Sequence, residues 1–342
     1  MEQLARSIRP LPSTSRAVVF PRYGGPDVLQ HVERPLPTPA ADEVLIAVRA
    51  ASVNAADWHL MRADPWLMRL MTGLVRPKSP ALGADVAGVV VAAGPEVQRL
   101  KVGDAVMGDL SDQGFGAFAE YVCARETHLV ALPRGLSFEQ AAAVPMAGVT
   151  ALKGVQEVAG VKAGQRVLVL GASGGVGAFA VQLARHLGAE VTAVCSTEKV
   201  DAVRRLGAAR VVDHRVQDVT RLDERFDVIL DAAAYRSFLA YRRILSEDGV
   251  YVMVGGALGT LLQLALLGPI LSRLGGQRFA NYLSVPDHAA LSTLAELLAA
   301  GAIVAPVDRS YPLAQVPDAI RALEARRVTG KLVITIQGAA HG

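Results

Sequence analysis

The sequence predicts an α/β protein in which a doubly wound parallel sheet is inserted into a compact β-barrel-like domain. Three observations predict it. In the middle of the chain, apolar strand-like runs alternate with helical patterns. One of those runs feeds a glycine-rich turn that opens a helix. Before this region, short strand-like runs are separated by Gly, Pro and Asp, and the C-terminal end returns to the same style.

The chain has 342 residues, more than one core usually supports, so two domains are expected. A net charge of +3 is too slight to argue for nucleic acid, and an aromatic share of 5% offers no stacking platform. Two cysteines, Cys123 and Cys195, exclude a disulfide framework and suit a reducing cytosol, so the expected location is cytoplasmic.

From the N-terminus, residues 1–15 hold Arg6, Arg9, serines, a threonine and prolines but no long apolar core. They read as a disordered leader and not as a secretory signal, with a transit peptide as the alternative. Runs at 16–20, 44–50, 85–94, 102–106 and 116–122 read as barrel strands, and 66–74 as one apolar helix among them. Residues 16–145 and 306–342 are expected to form this domain, and 146–305 the inserted one.

The inserted region carries the most specific signal. Val167-Leu168-Val169-Leu170 leads into Gly171-Ala172-Ser173-Gly174-Gly175-Val176-Gly177, and apolar residues then follow at helical spacing through Leu187 to Gly188. A buried strand, a tight glycine loop and a helix N-terminus form the geometry that holds a dinucleotide pyrophosphate. The first glycine of the usual fingerprint is Ala172 here. After the next strand, 190–195, an NAD site would carry a carboxylate for the ribose 2′-hydroxyl. Cys195, Ser196, Thr197 and Lys199 stand there instead, a set that favours the 2′-phosphate of NADPH, although Glu198 could turn inward and serve NADH. Further strands at 210–212, 226–231 and 250–254, with a helix at 238–245, complete the alternation. Their C-terminal ends make Asp231, Val254 and Gly255 candidate walls for the nicotinamide half. Plain turns are the alternative reading of each.

Residues 257–274 are leucine-rich and nearly long enough to span a bilayer, yet Gly268-Pro269 breaks the run and Arg273 closes it. A buried or cleft-covering helical insert is expected, with no membrane partner. As a cap over the site, it would favour an apolar substrate.

Several motifs in order carry a resemblance that covers nearly the whole chain. They are Ser52-Val53-Asn54-Ala55-Ala56-Asp57, Leu82-Gly83-Ala84-Asp85-Val86-Ala87-Gly88, Gly103-Asp104-Ala105-Val106, Gly116-Ala117-Phe118-Ala119-Glu120-Tyr121, Ala147-Gly148-Val149-Thr150-Ala151 and the Gly171 to Gly177 loop. The chain resembles a medium-chain dehydrogenase/reductase of the zinc-free, quinone oxidoreductase-like branch. The resemblance implies a GroES-like catalytic barrel, a Rossmann domain and commonly a homodimer. It places Asn54 and Asp57 beside nicotinamide and substrate, and Thr150 at the cofactor. Lys331, in the C-terminal Gly330-Lys331-Leu332 turn-and-strand, joins the cofactor-binding candidates.

Zinc-dependent relatives supply ligands at the positions of Asn54, Ala84-Asp85 and Met146; no thiolate or imidazole stands there, so a metal-free protein is expected. Without a Lewis acid an unactivated alcohol is a poor hydride donor, whereas a quinone or an α,β-unsaturated carbonyl accepts hydride with less help. The expected activity is NADPH-dependent reduction of a small apolar electrophile. Asn54 is read as a donor toward ribose or substrate oxygen, and Asp57 as a group that orients its neighbours or merely holds a turn. Tyr121 and His59 are weak proton-donor candidates, with solvent as the alternative. An enoyl-thioester reductase, a zinc-type alcohol dehydrogenase and a non-catalytic NADPH-binding redox sensor stay open.

Overall fold

The apolar run Arg166–Leu170 forms an inner strand of a six-stranded sheet in the computed structural model, which describes residues 11–256 and 258–337. The strand order is Arg210–Asp213, Glu190–Cys195, Arg166–Leu170, Phe226–Asp231, Leu245–Val254, Arg278–Tyr282, and every pairing is parallel. Val167, Leu168, Val169, Val228 and Ile229 are all 0% exposed because helices cover both faces, which is why these strands read as continuous apolar runs. The chain winds outward from Arg166–Leu170 in one direction and from Phe226–Asp231 in the other. The crevice between these two strands, at their carboxyl ends, is the switch point where such sheets bind ligands.

The second sheet has seven strands: Val307–Pro312, Lys331–Thr335, Glu43–Val53, Asp85–Ala93, Ala105–Asp109 and Leu129–Ala131 in order, with Tyr121–Arg125 paired to Glu43–Val53. Its C-terminal strand runs antiparallel to the long Glu43–Val53 strand, setting Leu332 against Val53, so the end of the chain closes the sheet its beginning opened. A two-stranded ribbon, Thr14–Val19 with Gln30–Pro35, lies beside it. Of the expected leader, residues 1–10 lie outside the described residues, while Thr14 and Ser15 already belong to that ribbon.

The leucine-rich stretch departs from expectation. Pro269 sits inside one continuous helix, Leu258–Leu274. Leu261, Leu264 and Leu271 pack on the cluster around Phe279, and Ser272 Oγ donates to the Gly268 carbonyl at 2.8 Å, so tertiary packing overrides the break that Gly-Pro predicts. Its outer face, including Leu262, Leu266 and Ile270, is exposed and not buried. Among the described residues, no helix is long and apolar enough to cross a membrane.

Candidate active site

The loop after Arg166–Leu170 is built by its glycines. Gly171 takes φ +71°, so the tight turn falls one residue before Ala172, whose methyl is buried. A Cβ on Gly177 would lie 2.2 Å from the Gly171 carbonyl oxygen, so only glycine lets the helix pack this close to the strand. The helix Gly175–His186 starts at Gly174, and no side chain caps it. Its first-turn N–H groups, those of Gly175, Val176 and Gly177, therefore stay available to an anion. Ser173 faces the same cleft, and its carbonyl accepts the Gly330 N–H at 2.8 Å, which ties the loop to the C-terminal strand.

That cleft has a volume of about 840 Å³ and is lined by Gly171, Ser173, Ser196, Lys199, Arg215 and Arg236. The loop geometry and this volume fit a dinucleotide. Within the cleft the basic residues divide differently from the sequence expectation. Lys199 Nζ donates to the backbone carbonyls of Arg326 and Val328, both at 2.8 Å, so it ties the parallel sheet to the C-terminal segment while still lining the cleft. Ser196 Oγ donates to Glu198 Oε1 at 2.8 Å, and Arg215 pairs with Glu198 at 3.1 Å. Thr197 bonds Asp213, holding that carboxyl below its ordinary range. Arg215 and Arg236 also line the cleft, and sequence reasoning named neither; Arg215 follows the strand Arg210–Asp213, whose carboxyl end borders the cleft.

Asp231 turns inward at the end of its strand. It is 0% exposed and accepts bonds from Ala233 N–H (3.0 Å), Ala234 N–H (2.7 Å) and Tyr251 OH (2.7 Å). It fixes the turn after its strand and presents no side chain to a ligand. Val254 is half-buried at the end of its strand, and Gly255, at φ +70°, has open space where a Cβ would stand.

A buried polar network joins the barrel to the loop. Asp85, 0% exposed, is its centre. Asp85 Oδ2 accepts Ser52 Oγ at 2.5 Å, Asn54 Nδ2 at 2.9 Å and Lys331 Nζ at 3.1 Å, while Oδ1 accepts the Met146 N–H at 2.8 Å. Lys331 Nζ also donates to Asn54 Oδ1. The Lys331 stem passes the loop: a Cβ on Gly175 would lie 2.8 Å from Lys331 Cδ. Asn54 Nδ2 has only the Ser52 carbonyl, at 3.5 Å, as a second acceptor. The amide oxygen and one amide N–H are engaged inside the network, so Asn54 positions its neighbours there, and its second N–H, with only that long contact, is compatible with the expected donor role. Asp57 Oδ2 accepts the Asn54 N–H and Oδ1 the Gly83 N–H, both at 2.7 Å, bonds that fit the orienting and the turn-holding reading alike. Thr150 Oγ1 donates to the Met146 carbonyl at 2.6 Å, which sets it one helical turn from the network.

The other two candidates lie elsewhere. His59 stacks on Trp58, with ring centroids 3.6 Å apart, and its Nδ1 bonds the Asp64 carbonyl at 2.6 Å. Tyr121 packs with Leu45 and Ala47 in a small separate cluster, and burial raises its phenol. Neither makes a hydrogen bond to the network around Asp85.

Burial pushes the Asp57 carboxyl up to about 7, against the two N–H bonds that favour its charge. Asp109, directly across from Asp85 in the sheet, is raised to about 7 by burial and by that neighbouring carboxylate. A carboxyl raised on folding stabilises the native state below its unfolded value, and this contribution is lost as pH rises through the folded one. We expect Asp109→Asn to match the parent in thermal midpoint near pH 4 and to gain on it as pH rises toward about 7. A difference that stays flat with pH in thermal melts would contradict this.

Two family models match the chain: the alcohol dehydrogenase GroES-like domain over residues 40–134 and zinc-binding dehydrogenase over 206–334. Despite the second description, no group of three or more His, Cys, Asp or Glu among the described residues could hold a metal ion. The chain is 32% identical over 333 residues to a chloroplast envelope quinone oxidoreductase homolog of Arabidopsis thaliana, covering 93% of this chain and 97% of the relative. It is also 32% identical to an NADPH-dependent alkenal/one oxidoreductase, chloroplastic, of the same plant, covering 95% and 80%. Among solved structures it is similar to the quinone oxidoreductase of Coxiella burnetii, with TM-score 0.85 and 28% identity over 95% of this chain and all of the other. With a glycine-loop Rossmann sheet set against a GroES-like barrel and whole-length relatives of this kind, the chain belongs to the medium-chain dehydrogenase/reductase family, as a quinone oxidoreductase-like, NAD(P)-dependent oxidoreductase.

Proposed function

We propose that the protein is a zinc-independent, NADPH-dependent reductase of a quinone or an α,β-unsaturated carbonyl. The observation that carries this reading is the ammonium of Lys331, held between Asn54 and Asp85, two positions at which zinc-dependent relatives supply ligands. A buried ammonium there supplies the positive charge that balances Asp85, and a divalent cation in the same place would be repelled by it. The names of the relatives, quinone oxidoreductase and alkenal/one oxidoreductase, agree with an acceptor that needs no Lewis acid.

Bound with its pyrophosphate at the N–H groups of Gly175 to Gly177, NADPH would supply a hydride. The chain's own residues supply position: the network of Asn54, Asp85 and Lys331 fixes the barrel against the loop, and Val254 and Gly255 border the carboxyl end of the sheet. The negative charge left on the acceptor spreads into an enolate or hydroquinone anion, and solvent protonates it. A second copy of the chain is the partner we propose, supported by the edge strand Arg278–Tyr282 and the exposed apolar face of the adjoining helix.

The test is NADPH consumption by pure protein against quinones, enals, enones and crotonyl thioesters, with NADH, acceptor-free and zinc-chelated controls. Turnover of quinones or enones that survives chelation supports the reading; turnover confined to thioesters or lost on chelation overturns it. Preference for NADPH rests on Arg215. Arg215→Ala should weaken NADPH by about 10- to 100-fold while leaving NADH nearly unchanged, the size of one charge-assisted bond. Lys199→Ala should weaken both cofactors alike, because its bonds are to the backbone. Binding titrations with each cofactor check both.

A further inference from the structure

The sequence reading placed one apolar helix at 66–74 inside the barrel domain. The chain instead forms two short turns, Trp66–Met68 and Arg69–Thr72, that carry their apolar side chains outward. Trp66 is 67% exposed, Met71 82% and Val75 83%, and Leu67, Leu70 and Leu74 are exposed as well. Six large apolar groups in ten residues is far beyond the scattered exposure of ordinary surfaces.

The segment is held in this posture. Tyr23 OH donates to the Gly73 carbonyl at 2.8 Å and lies 2.8 Å from Thr72 Oγ1. The Arg69 guanidinium sits over the Tyr23 ring at 4.7 Å. Gly73 takes φ +122°, and a Cβ there would lie 2.1 Å from the Arg76 carbonyl oxygen, so the return of the chain needs glycine. The apolar groups are thus displayed on a fixed perch.

Charge decides what the perch fits. From Pro65 to Ala84 the chain has no carboxylate, while Arg69, Arg76 and Lys78 fall within it. Arg76 and Lys78 are exposed, and among the described residues neither has an acidic partner. A tryptophan and aliphatic side chains flanked by free cations are the composition of an interfacial segment, apolar groups entering the acyl boundary and cations meeting anionic headgroups. The Leu258–Leu274 helix has an apolar face too, but its only charge is Arg273, which leaves it suited to another protein surface.

We propose that residues 66–78 dock the protein peripherally on an anionic lipid surface. The proposal differs from the expectation of no membrane partner in surface contact only, not in a span. The proposal stands apart from the choice of acceptor, because it concerns a surface and not the reaction.

The experiment is co-sedimentation of the full chain with vesicles of equimolar phosphatidylcholine and phosphatidylglycerol, against vesicles of phosphatidylcholine alone. We expect sedimentation with the anionic vesicles that weakens with added salt. A blue shift of indole emission should accompany it and vanish in Trp66→Phe. Leu70→Ser/Met71→Ser/Leu74→Ser should abolish sedimentation with an unchanged thermal midpoint, and Arg76→Gln/Lys78→Gln should reduce anionic-vesicle affinity by about fivefold for each cation removed. Equal binding to both vesicles, binding unaffected by the triple substitution, or no binding at all overturns the proposal. So does self-association without lipid that the triple substitution removes while vesicle binding is absent, since the occupant is then a second copy.

Discussion

Gly174→Asp should leave the fold as stable as the parent and reduce dinucleotide affinity by roughly 100-fold or more, a loss of about 3 kcal/mol from charge-assisted N–H bonds. The two halves of this expectation come from the same geometry. Gly174 is the N-cap of Gly175–His186, with φ −82° and ψ 172°, an extended conformation that any residue adopts. A Cβ there meets only the Gly171 carbonyl oxygen, at 3.4 Å. Aspartate is among the preferred N-caps and exceeds glycine by a few tenths of a kcal/mol, so the helix gains a cap. The carboxylate that caps it would occupy the N–H groups a pyrophosphate needs and repel its charge. Gly174→Ala, which adds bulk without charge, should bind nearly as the parent does. Calorimetric titration with NADPH and thermal melts separate the outcomes. Equal affinity in Gly174→Asp would mean that the pyrophosphate is held elsewhere, and a large drop in the melting point would mean that the loop cannot take a side chain.

How much of this was legible in the sequence depends on how far apart the interacting residues lie. The strand, loop and helix from Arg166 to His186 are local, so apolar periodicity and glycine spacing reveal them. The usual first glycine is Ala172, and the tight turn is made by Gly171 just before it. The polar network was not legible. Asp85 bonds residues 33, 31, 61 and 246 positions away, and within its own strand it precedes an apolar run with no periodic signal of its own. The tie that Lys199 makes was not legible, because its acceptors are backbone carbonyls, which any sequence supplies. The direction of Asp231 was not legible either: its strand end is where ligands bind, but the Tyr251 hydroxyl and two backbone N–H groups turn its carboxylate inward. At Pro269 a reliable local rule lost to packing on Phe279. Position along the sheet was therefore legible, and side-chain direction was not.

Lys331→Met should lower folding stability by about 3–5 kcal/mol, the cost of leaving one member of a buried ion pair without its partner. Methionine keeps most of the stem that packs beside Gly175, so the change removes the ammonium and little else. Asp85 would keep three donors, Ser52 Oγ, Asn54 Nδ2 and Met146 N–H, but no neutralising charge within its network. Asp85→Asn in the same background removes that charge. Asn54, no longer holding an ammonium at Oδ1, is then free to turn its amide and accept from the new one. The double variant should therefore recover much of the loss, with a coupling between the two sites of about 2 kcal/mol. The alternative is that Lys331 matters only through contact with a bound cofactor. In that case Lys331→Met leaves the denaturation midpoint of the free protein unchanged, weakens NADPH, and shows no coupling to Asp85. Denaturant melts of the parent, both single variants and the double variant, without cofactor, distinguish the two. A coupling near zero would also remove the ammonium's claim to stand in for a metal, because a charge that does not stabilise Asp85 cannot be what makes zinc dispensable there.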